Sequence, residues 1–171
     1  MTPRFREATP EDAAFIVGML AEAATWDRPA GEPAPPVAEI LADPGTADYV
    51  EGWGRDRDAG IVAEQAGEPV GACWFRSFTT QHPGYGFLGE NVPGIGLAVH
   101  PEHRGRGIGA RLLRETIDLA RRRGVTTLSI SVAQRNPARR LYRRAGFVEV
   151  GPEGDSLTMR LDLGTGEDDQ G

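Results

Sequence analysis

The chain has 171 residues, a formal net charge of −6 and 39% hydrophobic residues, a composition that fits one globular domain with its own core. No apolar run approaches the ~20 residues that a membrane span requires, and the N-terminal residues lack the apolar core of a signal peptide. The single cysteine, Cys73, excludes an internal disulfide and favours a reducing compartment. We therefore expect a cytoplasmic protein with one domain over residues 1–163 and a disordered polar tail over residues 164–171.

Basic residues are concentrated in one segment of this acidic chain. Residues 100–147 contain twelve arginines against three acidic residues, and lysine is absent from the whole sequence. A general nucleic-acid binder presents a broad basic surface, so the distribution argues against nucleic acid as a partner. A localised anionic ligand fits better, although any one of these arginines can equally be solvated helix surface.

The first part of the chain is predicted to be mainly helical. A short strand at residues 4–6 precedes a helix that begins at Thr9 or Pro10 and extends to Ala23. Residues 26–36 are rich in proline and glycine and are predicted to form a loop. A short helix follows at residues 37–42, and a further helical turn within residues 49–57 is left open.

Strands and helices alternate in the remainder of the chain. Residues 66–68 separate two strands of a hairpin, residues 79–94 form a loop, and Tyr85 and Phe87 are candidates for the start of a strand. The predicted strands are residues 60–65, 69–78, 95–99, 126–132, 147–151 and 156–162, and the predicted helices are residues 108–123 and 137–145. This order predicts an α/β fold around a mixed sheet.

The segment His100-Pro-Glu-His-Arg-Gly-Arg-Gly-Ile-Gly-Ala110 links a strand to an amphipathic helix. Its glycines allow a tight turn and a close approach to a ligand. The free N–H groups at the start of the helix favour an anion, so the segment is predicted to bind phosphate. It lacks the Gly-x-Gly-x-x-Gly spacing of dinucleotide folds and the Gly-Lys-Ser/Thr of a Walker loop.

The sequence contains two further motifs: one is Leu97-Ala-Val-His-Pro101 with Arg104-Gly-Arg-Gly-Ile-Gly109, and the other is Asn136-Pro-Ala-Arg-Arg-Leu-Tyr142 with Ala145-Gly-Phe147. Together they resemble the GNAT superfamily of acyl-CoA-dependent N-acyltransferases. The resemblance covers residues 4–162. It implies a central, mostly antiparallel sheet with a splayed parallel pair and about four flanking helices. It also implies acetyl transfer from acetyl-CoA to a primary amine by direct attack on the thioester.

The same resemblance implies a set of coenzyme A contacts. The glycine-rich loop binds the pyrophosphate, strand 97–99 pairs with the pantetheine arm, and the parallel strands splay beyond Val99 and Val132. Asn136 caps its helix and contacts the pantetheine, whereas Arg139 and Arg140 either reach the 3′-phosphate or stay solvated. The implied cofactor-binding residues are Leu97, Ala98, Val99, Arg104, Gly105, Arg106, Gly107, Ile108, Gly109, Ala110, Asn136, Arg139 and Tyr142.

The resemblance implies two catalytic residues, Leu97 and Tyr142, and the position of Glu90 upstream of the strand makes it a third candidate. The Leu97 N–H polarises the thioester carbonyl, and the Tyr142 hydroxyl protonates the leaving thiolate, unless Tyr142 only packs under the sheet. The family's usual glutamate is absent, because Gly96 occupies its place. Glu90 is then the first candidate for the general base, with weaker alternatives in Glu51, Asp48 and His82.

The acceptor does not follow from the sequence. Aromatic residues are expected either to line its pocket or to pack the first helices on the sheet; they are Trp26, Tyr49, Trp53 and Tyr85. A non-catalytic acyl-CoA-binding module is the alternative function. Cys73 is expected in the core, and His100 with His103 offers too few ligands for a metal, so no metal is expected. The oligomeric state stays open, with a homodimer through edge strands as one alternative.

Overall fold

The computed structural model describes residues 2–164. Its centre is a seven-stranded sheet with helices on both faces. The predicted tail, apart from Gly164, lies outside the described residues. The strands are β1 (Arg4–Glu7), β2 (Ala59–Gln65), β3 (Glu68–Arg76), β4 (Gly94–Val99), β5 (Thr127–Ala133), β6 (Val148–Glu153) and β7 (Ser156–Asp162). The helices are α1 (Ala13–Ala24), α2 (Val37–Leu41), α3 (Pro44–Ala47), α4 (Ile108–Arg122) and α5 (Ala138–Arg144).

The strand order is β1-β2-β3-β4-β5-β7-β6, and every neighbouring pair is antiparallel except β4 and β5. These two parallel strands pair only at Gly94 and Ser129, after which they diverge. The predicted mixed α/β sheet with a splayed parallel pair is thus confirmed. The divergence begins much earlier along the strands than the expected positions Val99 and Val132.

Two hydrophobic cores cover the two faces of the sheet. One lies beneath α4, whose buried stripe includes Ile108, Leu112 and Ile117, and the other lies beneath α1. Strand β3 contributes to both cores because its side chains alternate between the faces: Cys73 belongs to the first core and Trp74 to the second. The long apolar run of β3 is therefore explained by burial on both sides.

Several predicted elements differ in detail from the structure. The first helix begins with a 3-10 turn over Pro10–Asp12, and the extra helical turn, α3, lies before residues 49–57 because Asp43 caps it. Tyr85 and Phe87 do not begin a strand. The described residues contain five α-helices instead of about four, two of them very short. No helix among residues 2–164 combines the length and apolar character that a membrane crossing requires.

Candidate functional site

A groove of about 740 Å³ occupies the gap between β4 and β5. Its walls come from these two strands, from the C-terminal part of α1 and from α5. Its lining includes Leu97, Ala98, Val99, Asn136 and Tyr142, which are residues that the sequence analysis singled out. The topology thus brings the two sequence motifs to opposite sides of one opening.

The exposed edge of β4 presents two backbone N–H groups to this groove. The His100 N–H donates to the Val70 carbonyl at 2.7 Å, which fixes the pairing phase between β3 and β4. In an antiparallel strand pair, hydrogen-bonded and non-hydrogen-bonded residue pairs alternate. The Ala98 N–H therefore also bonds to β3, whereas the N–H groups of Leu97 and Val99 point into the gap. The Arg104 side chain confirms this phase, since its Nε donates to the Val99 carbonyl at 3.0 Å.

The glycine-rich loop ends at the start of α4, beside one end of the groove. Gly105 and Gly107 have φ values of 76° and 80°, a left-handed conformation that favours glycine. The first N–H groups of a helix have no partner within the helix, and Ile108 begins α4. Of the loop residues, Arg104 and Gly109 line the groove. Ile108 is buried in the core, and the remaining predicted loop residues are exposed: Gly105, Arg106, Gly107 and Ala110.

Tyr142 is buried with only 4% of its surface exposed, yet it lines the groove. Its ring packs edge-on against Phe147 with 5.9 Å between ring centroids. Within residues 2–164 its hydroxyl has no hydrogen-bond partner. Burial raises the pKa of Tyr142, with a smaller contribution from Cys73. The phenol therefore stays protonated at neutral pH and its hydroxyl is available to a ligand.

Asn136 and Arg139 follow β5 but have different surroundings. The Asn136 side-chain oxygen accepts from the Ala138 N–H at 2.9 Å, which confirms the predicted cap, and Asn136 lines the groove. Arg139 does not line it. Its guanidinium donates to the Gln134 carbonyl and forms an ion pair with Glu149 at 3.2 Å. Arg139 is thus engaged with the β6 side of the molecule.

Three of the four predicted aromatic residues line the groove: Trp26, Tyr49 and Tyr85. The Tyr49 hydroxyl donates to the Tyr85 carbonyl at 2.8 Å, and the Tyr85 hydroxyl donates to Asp43. Trp53 lies elsewhere, with its Nε1 donating to the Thr9 carbonyl at 3.1 Å.

The predicted base, Glu90, is not brought to the groove. It is exposed, and its carboxylate accepts from the Thr80 N–H at 3.3 Å. Gly96 does line the groove, but a Cβ at this position would lie 2.4 Å from the fully buried indole of Trp74. Trp74 therefore fills the space that a side chain at residue 96, where the glutamate is absent, would occupy.

Two carboxylates near the groove were missed by the sequence analysis. Glu22 lines the groove and forms ion pairs with Arg28 at 3.0 Å and with Arg104 at 3.5 Å. Glu153 accepts from the Gly86 N–H at 3.1 Å, next to Tyr85. Glu22 follows Leu20 at the end of an amphipathic helix, a weak signal, and nothing local in the sequence marks Glu153.

Other candidates for chemistry lie outside the groove lining. Cys73 is completely buried, and burial raises the pKa of its thiol to about 12, so it is not a nucleophile at neutral pH. His100 accepts from the Glu102 N–H at 3.4 Å and serves as a turn residue. Residues 2–164 contain no group of three His, Cys, Asp or Glu side chains arranged to hold a metal ion.

Comparison with known proteins gives a consistent result. A family model described as acetyltransferase (GNAT) family matches residues 18–147. Streptothricin acetyltransferase from Streptomyces lavendulae is 30% identical over 167 residues, which cover 88% of this chain and 84% of that protein.

Solved structures share the architecture over nearly the whole chain. Ribosomal-protein-alanine N-acetyltransferase from Brucella melitensis has a TM-score of 0.64 and 25% identity, covering 93% of this chain and 99% of that chain. The Salmonella typhimurium protein yncA, whose structure contains its cofactor acetyl-CoA, has a TM-score of 0.66 at 24% identity. The latter match covers 96% of this chain and 95% of that chain and shows a shared fold.

Proposed function

Because the chain belongs to the GNAT family of acetyltransferases and is an acyl-CoA-dependent enzyme, we propose that its β4–β5 groove transfers an acetyl group from acetyl-CoA to a primary amine. One observation carries the proposal. The groove joins an open strand edge, a glycine-rich helix start and the buried, unpartnered hydroxyl of Tyr142. Together they offer donors for an extended amide chain, a phosphate and a leaving thiolate.

The proposed donor site follows the length of the groove. The Val99 N–H bonds the pantetheine arm as an added strand would, and the Leu97 N–H faces the thioester at the end of that arm, because β5 leaves this edge of β4 unpaired. The loop of residues 104–110 binds the pyrophosphate through its backbone N–H groups and the positive end of the α4 dipole. Arg104 contributes charge there, whereas Arg139 is assigned no phosphate contact because it pairs with Glu149.

The proposed chemistry uses two groups of the chain. The acceptor nitrogen attacks the thioester carbonyl carbon, a C–N bond forms, and the C–S bond breaks to release a thiolate. The Leu97 N–H stabilises the negative charge that develops on the carbonyl oxygen; such donors contribute about 100- to 1000-fold in rate. Tyr142 donates its proton to the sulfur and regains one from solvent. The products are an N-acetyl amide and free coenzyme A.

The proton of the attacking amine is proposed to leave through water. Neither Gly96 nor the exposed Glu90 supplies a carboxylate to the groove. The acceptor must therefore lose its proton before or during attack without a base on β4. We expect turnover at limiting acceptor to rise with pH until the acceptor amine itself is deprotonated.

The acceptor is proposed to be a small amine. Two relatives carry different acceptors in their names, streptothricin in one case and a ribosomal-protein alanine in the other. The Tyr49 and Tyr85 side of the groove is the proposed acceptor end. The small-molecule alternative is favoured here because the loop that contains Tyr85 and Gly86 is bonded to Asp43 and to Glu153 at this end. A peptide N-terminus would have to enter past these bonded segments.

Calorimetry and a thiol-release assay test the proposal together. We expect acetyl-CoA to bind with a dissociation constant below the millimolar range, and small amines to trigger release of one thiol per acetyl group transferred. Mass spectrometry of the acceptor should show the added acetyl group. Absence of binding at millimolar acetyl-CoA would contradict the proposed donor site. Binding without release in the presence of any amine, including a peptide N-terminus, would contradict the proposed transfer, and release with peptide N-termini alone would contradict the small-amine assignment.

A further inference from the structure

The carboxylates around the groove differ in whether they already have partners. Asp43 accepts from the Thr46 N–H at 3.1 Å, from the Thr46 hydroxyl at 2.6 Å and from the Tyr85 hydroxyl. Glu22 is held between two arginines at the donor end. These two groups have little capacity left for a ligand.

Glu153 is different. Its carboxylate accepts one hydrogen bond, from the Gly86 N–H at 3.1 Å, and within the described residues no cationic side chain forms an ion pair with it. One of its oxygens therefore keeps its full capacity to accept hydrogen bonds. An exposed negative charge with a free oxygen is suited to an ammonium group.

The position of Glu153 relative to the groove is fixed by its neighbours. Its cross-strand partner is Ser156, which lines the groove, and its hydrogen-bond partner Gly86 follows the groove-lining Tyr85. Burial is the main cause of the raised pKa of Tyr49, and the charge of Glu153 adds to it. The hydrogen bond from Tyr85 to Asp43 is the main cause of the raised pKa of Tyr85, and the charge of Glu153 raises it further. Glu153 thus lies at the rim, across the Tyr85–Gly86 peptide group from the Tyr49 hydroxyl.

A second, independent feature indicates that this groove receives a ligand. Tyr142 is only 4% exposed and lines the groove, and its hydroxyl has no hydrogen-bond partner in the described part of the chain. Glu153 is not itself among the lining residues. A cation bound by Glu153 therefore lies at the rim, apart from the amine that reacts at the β4 edge.

We propose that Glu153 binds a second ammonium group of the acceptor, and that the enzyme selects small molecules with two or more amino groups over monoamines. This inference rests on the proposed function of the groove. Tyr49 and Tyr85 line the groove on the side of Glu153, and aromatic rings of this kind attract cations. The acceptor class is then a di- or polyamine in which one nitrogen is acetylated and another anchors.

The test compares Glu153→Gln with the wild type, using 1,4-diaminobutane and spermidine as polycations and 1-aminobutane as the monocation. The substitution removes the charge and preserves the shape. We expect kcat/KM for the polycations to fall about fivefold, a size typical of an exposed ion pair. The value for 1-aminobutane and the dissociation constant of acetyl-CoA should stay unchanged. Glu153→Asp should restore part of the preference.

Asp155→Asn is the matched control, because Asp155 is an exposed acid in the same hairpin turn and contributes its backbone carbonyl to the Gln134 N–H. It should leave the preference intact. Added salt should weaken the preference of the wild type and leave Glu153→Gln unaffected, a response that a purely structural role would not produce.

Equilibrium binding separates this inference from the proposed function. The wild type loaded with coenzyme A should bind spermidine more tightly than Glu153→Gln does, whether or not turnover occurs. If the wild type acetylates amines but Glu153→Gln leaves the polycation preference unchanged, the role of Glu153 is overturned. If no amine is acetylated while spermidine binding depends on Glu153, the proposed transfer fails and the cation site stands.

Discussion

At the scale of single residues, the site depends on the available hydroxyl of Tyr142 and on the lack of a side chain at Gly96. Tyr142 is buried yet unpartnered, which keeps its hydroxyl protonated and available. Gly96 has no side chain because the indole of Trp74 fills the adjacent space. Trp74 is itself held by its Nε1, which donates to the Tyr49 carbonyl at 3.1 Å. The acid role therefore has a candidate on α5, and the base role has none on β4.

Removing the Tyr142 hydroxyl tests its proposed role as an acid. Tyr142→Phe should lower kcat about 100-fold, the lower end of the range for general acid catalysis, because the thiolate loses its proton donor. The dissociation constant of acetyl-CoA should change little, since the ring and its contact with Phe147 remain. Stopped-flow thiol release and calorimetry measure the two quantities. An unchanged kcat would show that Tyr142 only packs in the core.

Adding a methyl group at residue 96 tests the contact with Trp74. Gly96→Ala places its Cβ against a buried indole and should lower the free energy of unfolding by about 2 kcal/mol, as overpacking of a core typically does. Gly151→Ala is the control, because a Cβ there meets nothing within 4 Å. Denaturant unfolding of both variants provides the comparison. Equal stability of Gly96→Ala and the wild type would mean that Trp74 can move, so that β4 could accept a carboxylate.

At the scale of elements, α1 is fixed to the sheet by an ion pair at its start. Arg6 on β1 donates to both Asp12 oxygens at 2.8 and 2.9 Å, and Asp12 also accepts from the Thr9 N–H at 2.7 Å. These contacts place the N-terminal end of α1 on the sheet, and the C-terminal end of α1 then reaches the groove with Glu22. The orientation of one groove wall thus depends on contacts at the far end of its helix.

Asp12→Asn should lower the free energy of unfolding at pH 7 by about 2 kcal/mol, the range for hydrogen bonds to a charged group. The bond from Arg6 lowers the pKa of Asp12 below its ordinary value of 3.8. The stabilisation is therefore complete above about pH 4 and is lost as pH falls through the lower, folded-state pKa. In urea unfolding between pH 7 and pH 3, the difference in free energy of unfolding between Asp12→Asn and the wild type should shrink only at the acid end. Asp56→Asn, at an exposed site, should show no such difference. A difference that is constant over the whole range would argue against the ion pair.

The sequence predicted most of the fold because its signals are local. Periodicity and turn residues gave the strands and α4, and the two motifs indicated the family, which the match over residues 18–147 confirms. The space for a side chain at residue 96 is filled by Trp74 in the neighbouring strand. The position of Glu153 depends on Gly86, which is 67 residues away in the chain. Local patterns carry no information on such contacts, so neither could be predicted.

At the scale of the whole molecule, the sheet consists of two antiparallel halves joined at one pair of residues. Strands β1 to β4 form one half and β5 to β7 the other, and Gly94 with Ser129 connects them. A ligand that bonds along β4 fills the gap that this divergence leaves. We therefore expect acetyl-CoA and coenzyme A to raise the melting temperature, and the tighter ligand to raise it more at equal concentration.

Amide hydrogen exchange of β4 tests this central claim most directly. In the free protein the N–H groups of Leu97 and Val99 face the gap, whereas that of Ala98 bonds to β3. Saturating acetyl-CoA, without an acceptor, should slow the exchange of Leu97 and Val99 at least tenfold and bring their exchange rates much closer to that of Ala98. Exchange of Leu97 and Val99 that is unchanged by saturating acetyl-CoA would contradict the account, because the donor would then bind somewhere other than the open edge of β4.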